Sequence, residues 1–226
     1  MNRPHVFINV AVTADGKMDT FERKGSAISS ERDKQRVLRL RSEADAVMVG
    51  GKTLLSEDPK LTVKREDLRA ERVARGQSPN PMKVGILTRA ELNPDGDFLN
   101  AGPARVVIFT TSQSSMSQLK TLQAHGAEVF IHDTARVDLA LALETLHSLG
   151  VQQLMVEGGG TLNFELIRLG LVDEIMLYVA PMILGGANAP TLADGLGLPR
   201  TDAVPLKLLN AETHEDGGVL LKYKLL

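Results

Sequence analysis

The sequence predicts an α/β fold built on a mostly parallel sheet that closes with a C-terminal antiparallel hairpin. Three observations carry this expectation. From residue 83 onward, short β-branched runs alternate with amphipathic helical stretches, the pattern of β–α–β units. Near the end, two alternating segments at 206–214 and 219–225 flank Asp216-Gly217-Gly218, a hairpin signature. The chain of 226 residues is 43% hydrophobic and 24% charged, within the range of a soluble globular domain.

The elements follow in order. Residues 6–12 are rich in valine and isoleucine and form a first strand, ended by the turn Ala14-Asp15-Gly16-Lys17. Residues 17–28 are polar and predict a loop. Ser29 or Ser30 then caps a helix, with Asp33 three residues after Ser30 in near capping-box spacing. Val37, Leu38, Leu40 and Ala44 give that helix its apolar face. Residues 46–49 are a short buried strand, and Thr53 begins a helical turn that Asp58-Pro59 ends. Residues 65–80 are charged and proline-punctuated, which predicts a surface insertion. Strands follow at 83–88, 105–110, 128–132, 153–157 and 174–179, with helices at 115–125, 138–149 and 162–169. No repeat or linker interrupts the chain, so residues 1–226 are expected to form a single domain.

Composition narrows the function. A net charge of -2 offers nothing to nucleic acid or to an acidic membrane. With no cysteine, disulfides, thiolate nucleophiles and cysteine-based zinc sites are excluded, and the five histidines form no metal-binding spacing. No catalytic metal is expected. The longest apolar run, 175–184, is broken by Pro181 and is half of what a membrane span needs. The apolar run near the N-terminus is too short for a signal peptide, and the expected location is the cytoplasm.

The sharpest motif is Glu157-Gly158-Gly159-Gly160-Thr161, where a strand runs into three glycines and then a helix. Glycines let backbone N–H groups approach an anion, and a helix N-terminus adds unpaired donors. One glycine would suffice for a bare turn; three in a row favour a ligand such as a dinucleotide pyrophosphate. The spacing is not G-x-G-x-x-G, and no acid stands where a Rossmann ribose ligand belongs. Thr88-Arg89 and Thr110-Thr111-Ser112, at two other strand ends, are suited to a 2′-phosphate and favour NADPH over NADH. The pair Glu57-Asp58 stands before a proline, where solvated turn residues and ligand-facing acids are both common. Asn9 interrupts an apolar strand. A buried amide without partners costs about 1–3 kcal/mol, so Asn9 either ties down backbone or reads the polar edge of a bound ring.

At this point the residues resemble a family. Residues 9–17 (Asn9 to Lys17), 46–50 and Asp58-Pro59 with Leu61-Thr62-Val63 are similar to the riboflavin-biosynthesis reductases. Residues 157–163, Gly170-Leu171-Val172-Asp173-Glu174 and Ala180-Pro181 with Gly185-Gly186 continue the pattern in the same order. The similarity runs from about Phe7 to Gly195 and is greatest to the stand-alone archaeal type. It implies a dihydrofolate-reductase-like three-layer fold with helices on both faces of the sheet, and a homodimer. It implies an NADPH-dependent oxidoreductase that reduces the ribosylamino group of 2,5-diamino-6-ribosylamino-4(3H)-pyrimidinone 5′-phosphate. Relatives fused to a zinc deaminase carry ligands that this cysteine-free chain lacks.

Carried over residue by residue, the resemblance assigns Gly158, Gly159, Gly160 and Thr161 to the NADPH pyrophosphate. It places Thr53, Glu57, Leu87 and Thr88 along the cofactor, with Arg89 as an addition. Ser29, Ser30, Arg41, Leu61 and Lys64 line the phosphoribosyl side, and Asn9 faces the pyrimidine where deaminase-fused relatives tend to have Lys. Glu157 and Asp58 are the candidates for assisting ring opening. The sequence departs from the family at Lys52 and at Glu57, where Asp is more usual. Two other readings compete: a reductase of another small heterocycle, such as the deaminated pyrimidinedione or a pterin, and a nucleotide-binding module without turnover.

Overall fold

The computed structural model describes residues 2–23, 25 and 27–226. Met1 lies outside the described residues, as do Lys24 and Ser26 in the loop expected over 17–28. The architecture is the expected α/β one, a large and mostly parallel sheet with antiparallel strands at its C-terminal end. The strands are β1 (His5–Thr13), β2 (Ala46–Gly50), β3 (Met82–Ile86), β4 (Val106–Thr111), β5 (Glu128–His132), β6 (Gln153–Val156), β7 (Glu174–Ala180), β8 (Leu206–Thr213) and β9 (Val219–Leu225). The helices are α1 (Glu31–Glu43), α2 (Gly51–Glu57), α3 (Glu66–Ala74), α4 (Asp97–Asn100), α5 (Met116–Ala124), α6 (Leu139–Ser148) and α7 (Gly160–Arg168). Two compact units interleave along the chain: Met1–Pro4 with Leu38–Met155, and His5–Val37 with Val156–Leu226.

In the first unit the strand order is β5-β4-β3-β2-β6, and β2 to β5 pair in parallel. Parallel strands are covered on both faces, which is why they read as continuous apolar runs; Val47, Met48, Val84, Ile108 and Phe109 are fully buried. Ser115 and Gln118 form a complete capping box on α5, and the Asp138 side chain caps α6 through the Leu141 N–H. Within residues 65–80 lies a helix that the sequence reading did not find. In α3, Leu68 is fully buried and Arg72 is 2% exposed. The Arg72 guanidinium donates to the carbonyls of Ser42, Ala44 and Ser78, so a charge enters the core with its donors satisfied.

Two more charged side chains organise this unit. Lys83, inside β3, is fully buried and its Nζ donates to the carbonyls of Phe98 and Ala101 at 2.9 and 2.6 Å. Burial lowers its pKa to about 8. Asp58 ends α2 in the left-handed conformation, φ 43°. Both its oxygens are engaged, accepting from the backbone N–H groups of Asp97 and Phe98 at the start of α4.

In the second unit the order is β1-β7-β9-β8. β1 and β7 pair in parallel with Asn9 opposite Met176, while β7–β9 and β8–β9 are antiparallel. Ile28, Tyr178 and Ala180 form an apolar cluster with Ala11 and Leu220. Ser30, rather than Ser29, caps α1: its Oγ accepts from the Asp33 N–H at 3.2 Å.

Candidate active site

The glycine turn is built as a strand delivered straight into a helix. Gly158 has φ +98°, a conformation that a side chain strains. Gly159 is the N-cap of α7, and no side chain among the described residues caps that end. The N–H groups of the first turn are therefore not taken by a capping oxygen, the arrangement an anion requires. Gly160 has another reason to be glycine. A β-carbon there would lie 2.5 Å from the Thr191 carbonyl oxygen and 2.7 Å from Asp194 Oδ2. Residues 191–194 are held against α7 by the Asn163 side chain, which donates to the Leu192 carbonyl, and by the Asp194 N–H donating to the Gly160 carbonyl. Two of the three glycines thus answer to the fold itself, more than the sequence argument allowed. Thr161 is exposed beside them, and Glu157 is half-buried just past the end of β6.

In the same unit Asn9 is buried, and its Oδ1 has no hydrogen-bond partner among the described residues. An amide carbonyl in that position is an open acceptor. Polar groups from α1 and β7 lie on this side of the strand pair. Arg36 donates from Nε to Asp33 Oδ1 at 2.8 Å, and its Nη1 approaches the Met176 sulfur at 3.9 Å. The Tyr178 hydroxyl is hydrogen-bonded to Ser30 and Asp216, and burial pushes its pKa above the ordinary tyrosine value. The Ser30 hydroxyl, first, and the Gly218 N–H hold the Asp216 carboxyl below the usual range. Ser30 is thus committed to capping and to this network, while Ser29 is half-buried beside it.

The remaining candidates lie in the first unit. Thr53 is half-buried on α2, Glu57 is exposed at its end, and Arg41 donates to the Thr62 carbonyl. Leu61 is buried with φ 49°, and Lys64 is exposed. Asp58 and Leu61 are both non-glycine residues in the left-handed region, and such strain tends to collect at ligand-binding loops. Leu87 is buried, while Thr88 and Arg89 are exposed past β3. The hydroxyls suggested for a 2′-phosphate are otherwise engaged. Thr110 and Thr111 are buried and donate to the Thr88 carbonyl, and Ser112 donates to Asp133. That part of the sequence reading is corrected for Thr110 and Thr111; Thr88, Arg89 and Ser112 are exposed, and the Ser112 hydroxyl is engaged with Asp133. A shallow cleft of about 280 Å³, lined by Leu92, Pro94, Gln118 and Thr121 among others, contains none of the candidate residues.

Sequence reasoning did not single out Tyr178 or Asp194, and it met Asp33 only as a capping partner and Asp216 only as a turn residue. Their side chains acquire meaning from contacts far along the chain, which spacing does not disclose.

The fold is that of the pyrimidine reductases. A crystal structure of a pyrimidine reductase-like protein from Corynebacterium diphtheriae superposes with a TM-score of 0.83, at 20% identity, covering 100% of this chain and 93% of that one. The chain belongs to the RibD C-terminal domain family, whose model matches residues 4–220. It is 43% identical over 193 residues to the 2,5-diamino-6-ribosylamino-4(3H)-pyrimidinone 5′-phosphate reductase of Archaeoglobus fulgidus, covering 85% of this chain and 87% of the relative. The reductase of the same name from Methanothermobacter thermautotrophicus is also 43% identical, over 212 residues, covering 93% of this chain and 94% of the relative. Among the described residues, no helix is long and apolar enough to cross a membrane.

Proposed function

We propose that this chain catalyses the NADPH-dependent reduction of the ribosylamino group of 2,5-diamino-6-ribosylamino-4(3H)-pyrimidinone 5′-phosphate to the ribitylamino product. The observation that carries this reading is the uncapped α7 N-terminus after Gly158 and Gly159, which offers free N–H donors to a pyrophosphate. The names of the two archaeal relatives supply the substrate. NADPH, when bound, supplies the hydride that C1′ of the opened ribosylamine accepts.

The chain's own residues bind, orient and move protons. Gly158, Gly159, Gly160 and Thr161 receive the pyrophosphate, with Thr53, Glu57, Leu87 and Thr88 along the cofactor. The exposed guanidinium of Arg89 beside Thr88 supports NADPH over NADH. Arg41 and Lys64 bind the substrate phosphate, Ser29, Ser30 and Leu61 line the ribose side, and Asn9 Oδ1 accepts an amino N–H of the ring. Opening the sugar to an imine needs one proton moved, and we assign that step to Glu157. Asp58, with both oxygens on backbone N–H groups, holds residues 58–61 in place.

Neither compact unit is a continuous stretch of chain, which supports reading residues 1–226 as one reductase domain. We also propose a cytoplasmic homodimer. β8 ends the strand order and exposes Leu206, Leu208 and Leu209 at 42%, 50% and 44%, an apolar edge that a second copy would cover. Incubation with the phosphorylated diaminopyrimidinone and NADPH tests the reaction. A product heavier by two hydrogens, one of them newly bonded to C1′, supports it, and an unchanged substrate with NADPH intact overturns it. Sedimentation tests the dimer.

A further inference from the structure

One buried carboxylate in the second unit is only half used. Asp33, in the first turn of α1, is fully buried. Its Oδ1 accepts from Arg36 Nε at 2.8 Å, and Arg36 Nη2 is in ion-pair contact with that same oxygen at 2.6 Å without an aligned hydrogen bond. Oδ2 is buried and has no partner among the described residues. A pair that served stability alone would set the guanidinium fork against both oxygens, the strongest geometry available to it. A carboxylate left half-satisfied out of water is destabilising, so the open oxygen calls for an occupant.

A second open acceptor lies on the same side. Met176, which Arg36 Nη1 approaches at 3.9 Å, is the register partner of Asn9 across β1 and β7. Register partners stand on one face of a sheet. The Asp33–Arg36 pair is therefore over the strands at the level of Asn9, whose Oδ1 is also buried and unpartnered. The neighbouring Tyr178 hydroxyl is occupied by Ser30 and Asp216. The Arg36 side chain keeps 17% of its surface exposed, whereas that of Asp33 keeps 1%, so a ligand would reach the carboxylate from the Arg36 side.

We propose that Asp33 is a second determinant of ring recognition: its free Oδ2 accepts an exocyclic amino N–H, as Asn9 Oδ1 accepts another. Two separated acceptors select a pyrimidine with two amino donors over one in which the C2 amino group is replaced by oxo. An oxo oxygen would leave two acceptors facing each other without a proton between them, the kind of mismatch that discriminates strongly. The inference rests on the pyrimidine reading given under Proposed function, and its test does not need turnover.

The experiment is calorimetric titration of the full chain with 2,5,6-triaminopyrimidin-4-one and with 5,6-diaminopyrimidine-2,4-dione, which differ at C2. The wild type is expected to bind the triamino ring about tenfold more tightly. In Asp33→Asn the amide keeps its oxygen on Arg36 and turns an N–H donor outward, so the preference falls below about threefold or reverses. A preference unchanged in Asp33→Asn, or a wild type that binds neither ring or both equally, overturns the proposal. A measurement on the wild type covers the case of a variant that does not fold. The Asp33 carboxyl ¹³C resonance is expected to move with the triamino ring and not with the dione; no movement with the triamino ring also overturns the proposal. If neither phosphorylated substrate turns over but the preference responds to Asp33, the reaction falls and the recognition stands. Turnover with an unresponsive preference means the reverse.

Discussion

Asp58 accepts the backbone N–H of Phe98 at 2.8 Å, across a separation of forty residues, while its other oxygen takes the N–H of Asp97. One residue thus closes α2 with its backbone N–H on the Leu54 carbonyl and starts α4 with its carboxylate. Asp58→Ala is expected to lower stability by about 1–2 kcal/mol, the magnitude of a lost helix cap. Denaturant unfolding checks this, and an unchanged midpoint would mean that water replaces the carboxylate at α4 without loss.

Lys83 gives a pH signature. Its folded pKa is lowered by burial from 10.5 to about 8. Between those values the unfolded chain binds more protons than the folded one, so stability from this group rises with pH. The penalty is fully present below about pH 8 and is gone above the unfolded value. It amounts to about 3 kcal/mol. In unfolding curves from pH 7 to 10.5 the wild type should gain about 3 kcal/mol of stability relative to Lys83→Met, and a constant difference between the two would contradict the assignment.

Gly160→Ala puts a methyl group 2.5 Å from the Thr191 carbonyl oxygen, closer than atoms pack. Residues 191–194 must shift, with a loss of about 1–3 kcal/mol. Gly158→Ala is strained for a different reason, its positive φ. Thermal unfolding together with NADPH titration separates the effects. Both variants should lose stability, and if Gly160→Ala unfolds like the wild type, the close approach is not maintained in solution.

Asn9→Leu removes an amide whose Oδ1 finds no partner among the described residues, so folding should be unaffected or slightly improved. Substrate KM should rise by about tenfold or more, with NADPH affinity unchanged. Asn9→Lys should shift preference toward the deaminated ring. Loss of stability in Asn9→Leu, or equal losses on both substrates in Asn9→Lys, would make Asn9 structural.

Most of the fold was legible in the sequence because its strands follow periodicities that burial enforces. Alternating or continuous apolar runs mark β1 through β9, and the helix expected over 115–125 is α5. What stayed hidden depends on long-range satisfaction of polar groups. α3 reads as a charged loop because Arg72 counts as surface until the carbonyls of Ser42 and Ala44 surround it. Lys83 is concealed inside a strand for the same reason. At the site, the glycine turn and Asn9 stood out because each breaks a local rule. The hydroxyls of Thr110 and Thr111 misled, since nothing nearby in sequence reveals that they reach the Thr88 carbonyl. Asp33 is an ordinary helix-start acid by spacing, and only its unpartnered Oδ2 distinguishes it.

The most direct test of the central claim is NADPH oxidation, followed by near-UV absorbance, with the diaminopyrimidinone ribosylamine phosphate and its deaminated counterpart side by side. The account predicts turnover of the diamino substrate and little or none of the deaminated one. Turnover of the deaminated substrate alone would contradict the reading of Asn9 and Asp33, and turnover of neither would contradict the proposed reaction.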